Sequence, residues 1–422
     1  MSEAIYVGID MGTTGVRACA IEDTGAIVSE RSGKMKTASE GEGVAAIGWQ
    51  GSVEDVLRDI AMDGQIAAIA VDGTSGSMVL TDDHGTPVTP GLLYNSKGFD
   101  AEAERIAAVA PEGSITRGSG SALARLLRLQ KLSDGRGRHL LHQADLASAL
   151  LTGRPGTTDE SNALKTGYDA ANRRWPRWLE KAGVDMTLLP RVVPVGAPIG
   201  SAISDRADML GVPASARVIA GATDSVAAFL AAGVAENGVA VTSLGTTLAL
   251  KVLSDRPVED AARGIYSHRV GDSWLPGGAS NVGGGSLLAH FTAHELADVT
   301  TRIDPDWEPQ HPATYPLTKP GERFPRNDPA LVPNVPERSD DARFLFELLH
   351  AIARIEREGY EALASLGAPY PTRVLTTGGG AQNTVWTAIR QKVLGVPVEA
   401  METADAAYGM ALTAMRAVRP RD

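Results

Sequence analysis

The chain has 422 residues, 43% hydrophobic and 22% charged, with a net charge of −11 at pH 7. That length exceeds what one core usually fills, so two domains of about 200 residues each are expected, and the acidic balance argues against nucleic acid or an anionic membrane as partner. The single cysteine, Cys19, excludes an intramolecular disulfide framework and any multi-cysteine metal site; no run of ~18 apolar residues predicts a membrane span.

In chain order, strands are expected at residues 5–9 and 16–22, a turn at Asp23-Thr24-Gly25, and a third strand at 26–31, forming a meander. Because the first strand begins at once, with no basic segment ahead of an apolar core, no secretory leader is expected. Together with the cysteine usage, this makes the cytoplasm the expected location. A helix near 53–62 follows, then a strand at 66–71 that ends in Asp72-Gly73-Thr74-Ser75-Gly76. Residues 100–151 read mainly as helix and 152–171 as loop, while 217–221 is a short strand and Thr223-Asp224-Ser225 opens a helix at 226–232. A hinge is expected near 233–238. The second half starts with hairpin strands at 239–242 and 247–253 and a further strand near 265–268. The Pro-rich stretch 304–336 is expected to be a surface loop or lid. A long helix at 341–365, a strand at 373–376 and a final helix at 404–417, expected to return to the first domain, complete the chain. The expected domains are 1–232, joined by about 405–422, and 233–404.

One turn occurs twice: Asp10-Met11-Gly12-Thr13-Thr14 and Ser243-Leu244-Gly245-Thr246-Thr247, each behind an apolar strand. Glycine followed by hydroxyl side chains makes a tight turn whose N–H and O–H groups suit phosphate. Taken alone, such a turn needs no ligand. Its repetition implies two copies of an ancestral half facing one nucleotide. The copies differ at Asp10 and Ser243, and a carboxylate beside a polyphosphate suits Mg²⁺. Asp224 at a helix start reads either as a cap or as a base that accepts a hydroxyl proton. Gly378-Gly379-Gly380-Ala381, followed by Gln382-Asn383, is either a surface for adenine or a turn needed for strand–helix packing. Ser75 is a hydroxyl partner for a polyol or an ordinary serine turn.

The order of these motifs resembles the FGGY carbohydrate kinases, nearly end to end. Residues 7–14 are similar to the family's first phosphate motif and 242–247 to its second; residues 377–386 with Ala406-Ala407-Tyr408-Gly409 are similar to its adenosine motif, and Gly221-Ala222-Thr223-Asp224 to the segment with its base. Within the family, Val71-Asp72-Gly73-Thr74-Ser75-Gly76, Leu93-Tyr94-Asn95, residues 162–168, Tyr266-Ser267-His268 and Gly277-Gly278-Ala279-Ser280-Asn281 most resemble the short D-ribulose kinases, xylulokinase-like, of photosynthetic organisms. The resemblance implies an α/β, two-domain, actin-like (ribonuclease-H-like) duplicated fold with a nucleotide and sugar cleft between the domains. It implies that Asp10, Ser75 and Asp224 contact a ketopentose and that Asp10 holds Mg²⁺. Gly12, Thr13, Thr14, Gly245 and Thr246 would approach the phosphates of ATP, with Gly379, Gly380, Ala381 and Asn383 bordering the adenosine.

The chain departs from many members at 124–128, Ala-Arg-Leu-Leu-Arg in place of a phrase with Lys and Trp, a difference expected to concern packing. It also has Tyr94-Asn95-Ser96-Lys97 in place of an Asn-Asp-x-Arg phrase, which bears on sugar choice. The second domain is shorter than in some relatives, leaving monomer and homodimer open. The expected activity is ATP-dependent phosphorylation of D-ribulose to D-ribulose 5-phosphate, with Asp224 as base and a small-molecule sugar as the only partner. The alternatives are D-xylulose or another polyol as acceptor, an actin-like ATPase switch, and a sugar-binding pseudokinase, the last disfavoured by intact Asp10 and Asp224. The roles of Asn162 and Lys165 are not assigned by sequence.

Overall fold

A computed structural model describes residues 4–118, 120–234, 236–401 and 405–419. The chain divides into two compact units: Met1–Gly233 with His268–Gly271 and Asp405–Asp422, and Val234–Ser267 with Asp272–Ala404.

In the first unit the meander is β1 (Ala4–Met11), β2 (Gly15–Ile21) and β3 (Ile27–Lys34), followed by α1 (Ile47–Ile60) and β4 (Gln65–Gly73). Further on come α2 (Gln143–Thr152), β5 (Arg217–Thr223) and α3 (Asp224–Leu230). The sheet order is β3-β2-β1-β4-β5, with Pro198–Ser201 outside β5; β4 lies parallel to β1 and to β5, the other pairs antiparallel. Both faces of β1 are covered, which is why it reads as a continuous apolar run. Ile5, Val7, Ile9 and Met11 join Trp49, Val53 and Leu57 of α1 in one core. The other face packs on the C-terminal helix Ala406–Val418, so closely that a Cβ at Gly8 would overlap the Ala407 carbonyl oxygen. Between β4 and β5 an insertion builds a smaller core around Leu80, Phe99, Leu123, Leu126 and Leu179.

The second unit carries β6 (Val239–Leu244), β7 (Leu248–Val252), β8 (Ser273–Ser280), α4 (Ala293–Thr300), α5 (Asp341–Ser365), β9 (Arg373–Thr377), α6 (Thr384–Leu394) and β10 (Val398–Ala400). Its sheet order is β8-β7-β6-β9-β10, with Tyr266–Val270 beyond β8. β9 is parallel to β6 and β10, while the meander β6-β7-β8 is antiparallel. Strand for strand, this repeats the order and directions of the first sheet. Behind the sheet, the fully buried ion pair Glu356–Arg390 (2.7 Å) ties α5 to α6, and Thr242 and Thr376 hydrogen-bond to its two ends.

The structure corrects three expectations. The stretch 304–336 is not a free lid: Tyr315 and Asn334 exchange backbone hydrogen bonds, and Phe324 is fully buried in the second core. Buried Glu322 accepts from Ser280 Oγ (2.6 Å), Asn281 N (2.8 Å) and Tyr315 Oη (2.9 Å), fastening the segment to the end of β8. The loop-like stretch 152–171 contains a strand, Thr157–Asp159, and a helix, Glu160–Leu164. The mainly helical stretch after residue 100 includes strand His139–His142, which pairs with Met78–Thr81. Among the described residues no helix is long and apolar enough to cross a membrane.

Candidate active site

The first unit gathers its carboxylates where parallel strands end, the usual place for ligands in such sheets. Asp10 on β1 stands in register with Asp72 on β4, and Asp72 with Ala222 on β5, which puts Asp224, two residues on, just past the end of β5 at the same edge. Asp10 is nearly buried, with its carboxylate 3.2 Å from the exposed guanidinium of Arg17 on β2. Asp72 is fully buried, and no N–H or hydroxyl donor among the described residues reaches either of its oxygens. Its nearest titratable neighbour in the sheet is the Asp10 carboxyl, in register on β1. Burial drives Asp72 well above the usual carboxylate range, and the charges of Asp10 and Asp224 add to this. Burial also raises Asp10, as do the charges of Asp405 and Asp224, with the neighbouring Asp72 carboxyl and the Arg17 charge opposing part of the rise. Burial and the neighbouring charges thus favour the protonated form more strongly at Asp72 than at Asp10.

Asp224 is the first residue of α3, and its Oδ1 accepts from the Ser225 amide (2.6 Å). The preceding residue, Thr223, gives α3 no side-chain cap; instead its own amide donates to Ser161 Oγ (2.9 Å), whose hydroxyl donates to buried Asp159 (2.6 Å). Asn162, unassigned by sequence, donates to the other Asp159 oxygen (2.6 Å) and so belongs to this support under the base candidate. In the Gly73–Gly76 turn, Gln143 Oε1 accepts from the Thr74 amide (3.0 Å) and hydroxyl (2.7 Å). Ser75 Oγ, shielded from water, has no partner among the described residues. An unsatisfied buried hydroxyl is costly, so it marks a place where a ligand is expected to bond.

The first Gly-Thr hairpin spends the Gly12 amide on Gly15 O (2.9 Å), leaving Thr13 and Thr14 as its outward donors. The second is braced differently. The Gly245 amide donates to Thr247 O (3.2 Å), while the Gly245 and Thr246 carbonyls accept from Gly284 N (2.8 Å) and Gly285 N (3.0 Å). The triple glycine at 283–285 is required there, since a Cβ at Gly283 would lie 2.6 Å from Thr247 C. Gly245, Thr246, Gly379, Gly380 and Asn383 line one cavity of about 670 Å³ within the second unit. Ala381 is buried and does not line it. The Asn383 side chain caps α6 by accepting from Trp386 N (2.9 Å), and its Nδ2 donates to Thr300 (3.3 Å), so its amide is already engaged. The rest of the wall is mostly apolar, with Leu287, Leu296, Ala297 and Trp386, and adds the polar side chains of Thr300, Gln382 and Thr384. α4 was missed by the sequence reading, although Thr292 and Glu295 form a capping box visible as Thr-x-x-Glu.

Residues 5–231 match the N-terminal domain, and residues 240–418 the C-terminal domain, of the FGGY family of carbohydrate kinases. The chain belongs to this family. It is a sugar kinase. Among proteins similar to this FGGY kinase are a xylulose kinase of Streptomyces rubiginosus, 27% identical over 95% of this chain and 85% of the relative, and an L-fuculokinase of Salmonella typhi, 24% identical over 96% and 90%. The crystal structure of a xylulose kinase from Rhodospirillum rubrum shares the fold, with a TM-score of 0.84 at 22% identity, covering 97% of this chain and 89% of that one.

Proposed function

We propose that this FGGY kinase transfers the γ-phosphoryl group of MgATP to a ketopentose, D-ribulose first, giving D-ribulose 5-phosphate. The observation that carries the reading is the strand-end grouping of one carboxyl group (Asp10), a second at a helix start (Asp224) and the orphaned Ser75 hydroxyl. Phosphoryl transfer requires this division, with one acid near the phosphate charge and another beside the attacking oxygen. Asp224 takes the proton as the sugar's O5 bonds to the γ-phosphorus; the bond from that phosphorus to the bridging oxygen breaks, and ADP leaves. Ser75 and Asp10 hold further sugar hydroxyls. Thr13, Thr14 and Thr246 donate to phosphate oxygens, and the apolar cavity of the second unit receives the adenosine.

Asp10, at the strand end beside Asp72 and within reach of the Arg17 guanidinium, suits Mg²⁺, which accepts one or two carboxylates while retaining water and phosphate oxygens. When bound, the ion neutralises phosphate charge. No cluster of three or more His, Cys, Asp or Glu arranged to hold a metal occurs among the described residues.

D-ribulose leads because the motif phrases around Asp72–Gly76, Tyr94 and Asn162 are similar to those of D-ribulose kinases. D-xylulose is the second reading, favoured by the xylulose kinases among the relatives. The test is ADP release with MgATP over D-ribulose, L-ribulose, D-xylulose, L-xylulose, ribitol and glycerol, with a no-sugar control. Stimulation by D-ribulose above the others supports the reading; another winner moves the substrate, and sugar-independent hydrolysis overturns transfer to a sugar.

A further inference from the structure

Arg125 lies in the helix Ala122–Ser133, where Leu123, Ala124, Leu126 and Leu127 are all buried. It is 2% exposed itself. A buried guanidinium normally meets a carboxylate, as Arg128 one turn later meets Glu102 (2.8 Å) and Glu42 (2.6 Å). Among the described residues Arg125 has no such partner. All its contacts are backbone carbonyls: Nε donates to Gly76 O (3.1 Å), Nη1 to Gly120 O (2.9 Å) and Ser121 O (3.0 Å), and Nη2 to Tyr94 O (2.6 Å) and Gly120 O (3.2 Å). Burial lowers the guanidinium to about 10, the cost of a cation without a counter-charge.

Two of these carbonyls belong to the turn that carries the unpartnered Ser75 hydroxyl or to the segment joined to it. Gly76 follows Ser75 directly, in a left-handed conformation (φ 88°), and Tyr94 is joined to the same turn from its other side, its amide donating to Ser77 Oγ (3.0 Å) while Ser77 Oγ meets Thr74 Oγ1 (2.6 Å). Thr74 is fixed by Gln143 and Gly76 by Arg125, so the backbone on each side of Ser75 is held while its hydroxyl is left for a ligand. This arrangement uses the guanidinium as a rigid fork rather than as a charge. An ammonium, with three donors at one point, cannot span the Gly76 and Tyr94 carbonyls in the same geometry.

We propose that Arg125 is a positioning residue for sugar recognition: it locks the Thr74–Gly76 turn to the Tyr94 backbone and thereby sets which hydroxyl pattern Ser75 accepts. The inference rests on the reading that Ser75 faces the sugar. It also gives a use to the 124–128 segment, where the chain departs from the family's usual Lys and Trp.

The test is steady-state kinetics of the wild-type protein, Arg125→Lys and Arg125→Met over the sugar panel, with KM measured separately for sugar and MgATP, alongside thermal unfolding. The expected result for Arg125→Lys is a roughly tenfold rise in sugar KM and a flattened preference among pentuloses, as one lost hydrogen-bonded anchor would give, with KM for MgATP little changed. Arg125→Met should rise further; if it does not fold, Arg125→Lys carries the test. Unchanged sugar KM and preference in a folded Arg125→Lys protein overturn the proposal, as does a parallel worsening of both KM values with lowered melting temperature. A wild-type protein that phosphorylates no sugar of the panel overturns the functional reading and the inference with it, an outcome distinct from an active wild type with an indifferent variant.

Discussion

At the residue scale, Asp224 and Asp72 have opposite protonation tasks and make opposite predictions. Asp224→Ala is expected to lower phosphoryl transfer by about 10²–10⁴, the usual span for loss of a positioned base. Nucleotide affinity measured by calorimetry should change little, because the cavity proposed to receive the adenosine is lined by residues of the other unit. Near-normal turnover in that variant would remove Asp224 from the role. For Asp72, the native carboxyl holds its proton well above the ordinary value of 3.8, so its contribution to stability is fully present below that value and is lost as pH rises through the native one. Asp72→Asn keeps a donor toward Asp10 without an ionisable proton. Its melting temperature should decline less with rising pH than that of the wild type, with most activity retained; a melting-temperature profile identical to wild type would show that Asp72 does not carry the proton. Asp10 and Asp224 were legible in sequence because each sits beside a local signal, a Gly-Thr turn or a helix start. The Asp10–Asp72 pairing was not, since it arises from the register of two parallel strands far apart in the chain. Ser161 was equally hidden, because its partner, the Thr223 amide, is 62 residues away.

At the element scale, the long helix α5 was read correctly to the residue because its apolar stripe repeats at helical spacing over 25 residues. The arm at 304–336 misled the reading for the complementary reason: its prolines and turns describe local conformation, whereas its attachment depends on tertiary packing. Gly278 and Gly359 leave the room that the Phe324 ring fills, and a Cβ at Gly278 would collide with that ring. Phe324→Ala should therefore cost about 3–5 kcal/mol, as for other fully buried aromatics, seen as a lower denaturation midpoint. An arm that merely covered the surface would give a change within about 0.5 kcal/mol. α4 shows a third case: its capping box was present in the sequence, but its eight residues carry only one buried side chain, Val299, too little pattern to announce a helix.

At the scale of the whole molecule, the repeated hairpin disclosed the duplication, and the two sheets bear it out with one strand order and one set of directions. Thr377, in register with Ser243, occupies in the second sheet the place that Asp72, in register with Asp10, occupies in the first, so each half ends its neighbouring strand in a glycine turn while only one carries the acid pair. The helix Ala406–Val418 packs closely within the first unit, where a Cβ at Gly409 would overlap the Ala227 carbonyl oxygen of α3. Gly409→Val is expected to destabilise the protein by about 1–3 kcal/mol or more through overpacking, and to make the Ala406–Val418 helix an early site of limited proteolysis; wild-type resistance to protease would contradict that packing. The same helix carries a consequence for the order of events during synthesis. The ribosome releases it only after every described strand of both sheets has emerged, so the face of β1 that it covers stays uncovered until then, and the sheet made first waits longest for its covering helix.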